Sequence, residues 1–262
     1  RLSDIVAQTQ ADELVITGTF QKSQWNGSGE IPLRAVHDGS LDRFGSIDPS
    51  EGGKTLRSTG RLNYHYDTPA GGRFFANAYA QYYRFDLFTN FTFFLNDPVN
   101  GDGFQQSDRR VVYGGDVGYK QLVRFFDMDG AATVGFQTRV DDIHARLGPQ
   151  VKRVPLGTTV DSTISEASYA PFLKLELQPT PWLRLSGGVR TEVFTFDVRN
   201  RCAGCAEQPA GNTSSGLVLP KMNVILGPWF GTEFFANYGE GYHSNDARSA
   251  VAQVASPQAI AG

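Results

Sequence analysis

The sequence predicts an all-β chain that forms part of an antiparallel, up-and-down transmembrane β-barrel. Aromatic residues account for 12% of its 262 residues and glycine occurs 29 times, a composition that favours strands over helices. Apolar and polar residues alternate along successive segments, as they do on strands whose two faces meet different surroundings. Long polar loops and short turns alternate between these segments, which is typical of barrels with long extracellular loops and short periplasmic turns.

The first half of the chain contains five alternating segments. Residues 1–10 fit the tail of an earlier strand and plain coil equally well, and residues 32–43 can hold a short helix with Pro32 in its first turn. The predicted strands cover about residues 12–21, 54–66, 73–88, 111–120 and 132–141. The third is so aromatic that its pattern does not assign its faces. Long polar loops end at residue 53 and span 96–108, and short turns lie at 68–72 and 126–130.

The second half continues the same arrangement with four more segments. The predicted strands cover about residues 168–178, 183–193, 221–226 and 232–239. Long loops are expected at 144–160 and 200–216, and short turns at 179–182 and 227–231. The chain therefore contains about nine strands.

The two faces of the later strands carry different residues. One face holds the apolar residues Phe136, Leu175, Leu185 and Val189, which we expect to contact lipid. The other holds Lys174, Arg190 and Glu192, which we expect to face the lumen. A soluble β-sandwich shows the same alternation, so alternation alone leaves both architectures open. The alternation of loop lengths favours the barrel, and Trp182 and Trp229, both at short turns, fit an aromatic girdle on the periplasmic side.

The spacing of the short turns indicates that the barrel is incomplete. They recur about every 50 residues, so a 22-stranded barrel needs on the order of 550 residues. Nine strands are therefore a fragment of a larger barrel.

Composition excludes several other classes of protein. The net charge of −3 and the pI near 5.8 argue against a nucleic-acid-binding protein, which carries a basic excess. The sequence contains no run of about 18 apolar residues, so no transmembrane helix is predicted. The segment that begins at Arg1 lacks the pattern of a signal peptide, so we expect a processed chain or an internal piece of a longer protein.

The stretch 221–248 carries a family resemblance. It reads as a strand, a Gly-Pro-Trp-Phe-Gly turn at 227–231, and a returning strand, and residues 232–248 continue as Thr-Glu-Phe-Phe-Ala-Asn-Tyr-Gly-Glu-Gly-Tyr-His-Ser-Asn-Asp-Ala-Arg. This pattern resembles the late barrel region of TonB-dependent receptors of the bacterial outer membrane. The stretches Ile-Pro-Leu-Arg-Ala-Val at 31–36, Arg-Phe-Gly-Ser-Ile-Asp-Pro at 43–49 and Asn-Phe-Thr-Phe-Phe at 90–94 are also similar to that family.

The resemblance implies a function for the complete protein. Members of this family bind a scarce ligand, typically a ferric siderophore, on their outer loops and pass it through the lumen. A TonB-type energy-coupling protein drives this step through a plug domain, and the outer-membrane lipid surrounds the barrel. Residues 1–262 then form a partial barrel domain without the plug, and neither an enzyme activity nor a cofactor is expected. The alternatives are a passive porin-like channel and a secreted β-sandwich binding module.

Few residues suggest site chemistry of their own. Cys202 and Cys205 are the only cysteines, and without a βα context or a second half-site they favour a loop disulfide over a redox or zinc site. Two free thiols remain the alternative. The oxygens at 97–102 suit calcium but lack the full loop spacing, so a plain turn is favoured there. No catalytic residue and no metal ligand is assigned.

We expect ligand contacts at the long-loop end of the barrel, at polar residues near the strand tips. The candidates are Asp42, Arg43, Gln105, Asp108, Arg109, His243, Asn245, Asp246 and Arg248. A barrel brings such residues from distant positions to one rim, where loops are free to carry function. The alternative is an Asp–Arg network that braces the loops.

Overall fold

The computed structural model describes residues 5–8, 12–27, 29–126, 128–205, 208–242 and 246–255. These residues form one antiparallel sheet with two short helices. The strands are β1 (Ile5–Gln8), β2 (Asp12–Asn26), β3 (Gly52–Asp67), β4 (Gly72–Thr89), β5 (Phe104–Phe125), β6 (Met128–Val151), β7 (Val154–Pro155), β8 (Val160–Thr180), β9 (Leu183–Asn200), β10 (Gly211–Trp229) and β11 (Thr232–Gly239). The helices are α1 (Leu33–His37) and α2 (Ala247–Ala255).

The strands follow one another across the sheet in chain order. Ten of them form a single path from β1 to β11, and the two-residue β7 pairs with the end of β6 beside that path. No pairing joins β1 to β11 within the described ranges, so the sheet is an open segment of an up-and-down barrel. The predicted fold class is confirmed, and all nine predicted strands are present. The strand β1 resolves the open choice for residues 1–10 in favour of a strand at Ile5–Gln8.

Long and short connections alternate as the sequence predicts, but the strands are longer. The long connections are now 27–51, 90–103, 152–159 and 201–210. The largest difference lies at the predicted loop 144–160, where β6 continues to Val151 and β8 begins at Val160. His144 pairs with Thr163 inside this extension. The prediction failed there because polar side chains suggested a loop, whereas strands that project into water keep their backbone pairing whatever their side chains.

Two pairs of residues explain why glycine interrupts the central strands. Gly118 of β5 and Gly135 of β6 lie opposite each other, and the rings of Phe75 and Phe172 cover them. A Cβ atom at Gly118 would lie 2.3 Å from the Phe75 ring, and one at Gly135 would lie 2.4 Å from the Phe172 ring. Only glycine leaves room for an aromatic ring at this distance from the sheet.

The two helices lie in the connections at the long-loop end. The helix α1 follows Pro32, as the sequence predicts, although it is shorter than the predicted range. The helix α2 was not predicted. It packs on β8, β9 and β10, where Ala247 and Val251 join Ile164 and Val198 in a small apolar cluster. Neither described helix is long and apolar enough to span a membrane.

Candidate functional site

One face of the sheet is apolar and exposed. Register places Leu175 opposite Gly187, Leu173 opposite Val189 and Leu177 opposite Leu185, so these leucines and valines share a face. Large apolar residues on this outer face are widely exposed, for example Leu175 at 47% and Val189 at 42%. The predicted facing of Phe136, Leu175, Leu185 and Val189 agrees with this register. Such a surface suits the hydrocarbon of a bilayer.

Aromatic residues mark both edges of the apolar face. At the short-turn end, the Trp182 and Trp229 ring centroids are 6.1 Å apart. At the other end, Tyr82, Tyr113 and Tyr169 lie on the outer face and are each more than 40% exposed. Tryptophan and tyrosine prefer the boundary between hydrocarbon and headgroups, so these residues set the position of the sheet in the membrane.

The opposite face forms a polar wall, and its charges are mostly neutralised within single strands. Arg139 Nε lies 2.6 Å from Asp141 Oδ2, two residues along β6. Arg190 Nη2 lies 3.0 Å from Glu192 Oε2 on β9. Arg110 makes the same kind of pair with Asp108 on β5. The carboxylates of Asp141 and Glu192 are buried, and the pairing offsets part of the cost of removing them from water.

Two arginines of the polar wall differ from these. Arg57 and Arg61 on β3 are exposed, and neither makes an ion pair with any described residue. The Arg57 guanidinium lies 5.3 Å from the centre of the Tyr83 ring, and Arg61 lies opposite Tyr79 in register. The wall at β3 and β4 therefore presents two uncompensated cations beside two phenol rings. The sequence shows the alternation of Arg57, Thr59 and Arg61, but it does not show which carboxylates lie beside them, so it does not predict this pair.

The predicted ligand-contact residues do not form one cluster. Asp42 and Arg43 lie in the connection 27–51, where the Asp42 carboxylate accepts a hydrogen bond from the Phe44 amide at 2.9 Å. Gln105 and Asp108 lie inside β5 rather than beyond its tip, and Gln105 donates to Asp86 at 3.0 Å. The bonds made by Asp42 and Gln105 are internal ones, of the kind that the bracing alternative expects.

Arg109 lies on the opposite face of β5 from its sequence neighbours Asp108 and Arg110. Register places it opposite Arg84 and His144 on the outer face, whereas Asp108 and Arg110 belong to the polar wall. This follows from the two-residue period of a strand, which sends adjacent side chains to opposite faces. Asp108 and Arg109 therefore do not share a face, and the contact of either with a ligand stays a prediction.

The last predicted residues lie around the start of α2. Arg248 Nη2 donates to Asp246 Oδ2 at 2.7 Å, and the Ala247 amide donates to Glu166 Oε1 at 3.3 Å. The hydrogen bond from Arg248 holds the pKa of the Asp246 carboxyl below its usual range. His243 and Asn245 lie outside the described residues.

The carboxylates in the connection 90–103 accept hydrogen bonds from residues of the same connection. Asp102 accepts hydrogen bonds from the Thr92 hydroxyl at 2.6 Å and from the Asp97 amide at 2.7 Å. The bond from Thr92 is the main reason that the pKa of Asp102 is lowered. This arrangement is that of a turn, and in the described part of the chain no three His, Cys, Asp or Glu side chains are grouped to hold a metal ion. In the next long loop but one, Cys202 and Cys205 form a disulfide with Cα atoms 5.4 Å apart.

Comparisons with known proteins agree with this architecture. The family model "TonB dependent receptor-like, beta-barrel" matches residues 4–259. No curated protein matches the chain by sequence. Among solved structures, the unliganded ferric citrate transporter FecA superposes with a TM-score of 0.66 at 16% identity, covering 87% of this chain and 36% of FecA.

Two further structures give similar values. The ferric-catecholate import receptor Fiu from E. coli K12 has a TM-score of 0.63 at 12% identity, with 87% of this chain and 41% of Fiu covered. The ferric yersiniabactin uptake receptor FyuA from Yersinia pestis has a TM-score of 0.57 at 12% identity, with 83% and 33% covered. The chain thus spans about a third to two fifths of these proteins. It belongs to the TonB-dependent receptor β-barrel family of the bacterial outer membrane, whose members are transporters rather than enzymes.

Proposed function

We propose that the complete protein is an energy-coupled transport receptor that takes up an anionic metal chelate such as a ferric siderophore. The observation that carries the proposal is the pair Arg57 and Arg61, two exposed cations without carboxylate partners on the polar wall of a receptor-family barrel. Guanidinium groups bind carboxylates and other planar oxyanions through two parallel hydrogen bonds. The phenol rings of Tyr79 and Tyr83 beside them add flat apolar surface for an aromatic ligand.

The names of the structural neighbours support this class of ligand. FecA is a ferric citrate transporter, Fiu a ferric-catecholate import receptor and FyuA a ferric yersiniabactin uptake receptor. All three ligands contain iron, and citrate and catecholate present oxyanions. We infer that the partners of the complete protein are the outer-membrane lipid, a small-molecule chelate and a TonB-type coupling protein that acts through a plug.

Ligand contact at the loop end belongs to the same proposal. Asp42, Arg43, Asp108, Asp246 and Arg248 are the described candidates that lie in the connections, at the start of α2 or on the polar wall, whereas Gln105 lies on the same face of β5 as Arg109. Asp108, Asp246 and Arg248 already form ion pairs with described partners, whereas Arg43 makes none. Arg43 is therefore the candidate of this group that is best able to bind an anion.

The test is the binding of ⁵⁵Fe-labelled chelates to the full-length protein. Ferric citrate and a ferric catecholate are the probes, and a neutral ferric hydroxamate is the control for charge. The double variant R57Q/R61Q should weaken binding of the anionic probes by about tenfold or more, since each lost charge-assisted pair contributes roughly 1.5–3 kcal/mol. The variant R139Q serves as the matched control, because Arg139 already has its own carboxylate. Equal binding of charged and neutral chelates would contradict the proposal.

A passive porin-like channel is the second candidate, and energy coupling separates the two. Uptake by a coupled receptor should stop when the proton-motive force is collapsed, whereas diffusion through a channel should continue. A secreted β-sandwich is not supported, because the described strands form one continuous sheet with an exposed apolar face.

A further inference from the structure

A row of basic side chains crosses the outer face just above the apolar surface. Arg84 of β4 lies opposite Arg109 of β5, and Arg109 lies opposite His144 of β6. These residues share the outer face with Tyr82 and Val111, which are 43% and 44% exposed. Three basic residues are thus direct neighbours, and Tyr82 and Val111 provide apolar surface directly below Arg84 and Arg109.

Arg84 and Arg109 lie at the height of lipid headgroups. Tyr82 marks the upper aromatic edge on β4, two residues before Arg84, and its register partner Val111 lies two residues after Arg109 on β5. At about 3.3 Å per residue and a strand tilt of about 40°, both arginines are roughly 5 Å beyond that edge. The headgroup layer on each side of the hydrocarbon is about 5–8 Å thick, so both guanidinium groups reach it.

Arg109 is the uncompensated member of this row. Arg84 Nε donates to Asp86 Oδ2 at 3.0 Å, and His144 Nε2 lies 2.7 Å from Asp161 Oδ1. Arg109 makes neither a hydrogen bond nor an ion pair with any residue that the structure describes. Like charges directly opposite each other on neighbouring strands are destabilising, and Asp86 offsets only the charge of Arg84, so an anion beside Arg109 relieves the remaining cost.

The other charged groups near Arg109 are already engaged. Asp161 also binds Arg146 at 3.3 Å, Asp197 pairs with Arg199 at 2.7 Å, and Asp142 accepts the Ser165 hydroxyl at 3.0 Å. A groove of about 560 Å³ runs between these side chains, and Tyr82, Arg109, Val111, His144, Thr163 and Arg199 are among its lining residues. It provides room for an anionic group beside Arg109.

We propose that Arg109 and Arg84 bind the phosphate group of an outer-leaflet lipid on the outside wall of the barrel. A phosphate monoester or diester matches the guanidinium fork, and its acyl chains can lie on the apolar surface formed by Val111 and Tyr113 directly below. This continuity of a cation with an apolar wall favours a lipid over a free anion. The site faces away from the polar wall and is independent of the transported ligand.

The experiment is native mass spectrometry of the full-length protein extracted from outer membranes in mild detergent. The unmodified protein should retain a phosphorylated lipid, and R109Q should lower its occupancy roughly tenfold, the loss of one charge-assisted pair. R110Q is the matched control, because Arg110 is the adjacent residue on the opposite face and already pairs with Asp108. Arg109→Lys should give an intermediate occupancy, since it keeps the charge without the fork.

Four results would overturn the proposal. They are absence of lipid on the unmodified protein, equal retention by R109Q, equal loss in R110Q, and equal rebinding of the same lipid after enzymatic removal of its phosphate. Inorganic phosphate that displaces the lipid at millimolar concentration would identify a free-anion site instead. Heat-modifiable mobility on gels verifies that each variant is a folded barrel before its lipid is counted.

Discussion

Leu175→Arg should impair assembly of the complete barrel far more than Lys174→Leu. The two residues are adjacent on β8 and point to opposite faces. Leu175 is on the outer face and 47% exposed, whereas Lys174 lies on the polar wall and donates to Glu176 at 2.9 Å. The pair therefore compares a charge placed in hydrocarbon with a charge removed from the lumen.

The depth of Leu175 determines the expected magnitude. It lies opposite Gly187, which follows Trp182 by five residues, and this places it about 13 Å above the tryptophan girdle. That height is close to half of an apolar band about 25 Å tall, where an arginine costs roughly 2–4 kcal/mol. Leu185 faces the same way but lies only about 8 Å above the girdle, where the cost is smaller. Loss of the half-exposed pair of Lys174 and Glu176 costs at most about 1 kcal/mol.

The assay is folding of the full-length protein into liposomes, followed by heat-modifiable mobility on gels across a urea series. A difference of 2–4 kcal/mol corresponds to a change of roughly 30-fold to nearly 1000-fold in the folding equilibrium constant for Leu175→Arg. Lys174→Leu should shift that constant by less than about sixfold. Equal destabilisation by the two substitutions, or a larger effect of Lys174→Leu, would refute the assignment of the two faces.

Three further predictions concern the loops. Arg153→Ala should increase proteolysis of the connection 27–51 in the full-length protein, because the Arg153 guanidinium bonds the carbonyls of Ser50 and Glu51 at 2.6 and 3.0 Å, and unchanged cleavage would contradict this. The lowered pKa of Asp102 stabilises its loop above about pH 4 and this contribution is lost as the pH falls further, so amide exchange at 90–103 should rise in acid, and D102N should abolish that rise. Alkylation without reductant should leave the thiols of loop 201–210 unmodified, and mass spectrometry that finds both labelled would exclude the disulfide.

The sequence was sufficient for the fold because the barrel depends on a short-range pattern. The alternation of apolar and polar residues gave nine strands and the outward facing of Leu175 and Val189, and register agrees with both. The strand β4 was different, since its aromatic residues occupy both faces. Only pairing with β3 and β5 assigns Tyr83 to the polar wall and Tyr82 to the outer face.

The candidate site was harder to predict because it depends on register and depth. Asp108 and Arg109 are adjacent in the sequence, yet the strand separates them onto opposite faces. The loop that was expected around His144 is strand, since polar side chains on extensions beyond the membrane resemble loop residues. Arg57 and Arg61 are candidates because neither forms an ion pair with a described residue, which a linear sequence does not reveal.

The short-range ion pairs of the barrel have a consequence for how such a sheet can be built. Five consecutive long strands each hold a cation and a carboxylate two residues apart. The pairs are Arg84–Asp86, Arg110–Asp108, Arg139–Asp141, Lys174–Glu176 and Arg190–Glu192. In each pair the cation and its carboxylate are therefore on the same strand, and the pair can form before the neighbouring strand has joined the sheet. When a hairpin enters the bilayer before the next one, neither ion of such a pair lacks its partner, so these pairs allow strands to be added one after another in the order of the chain.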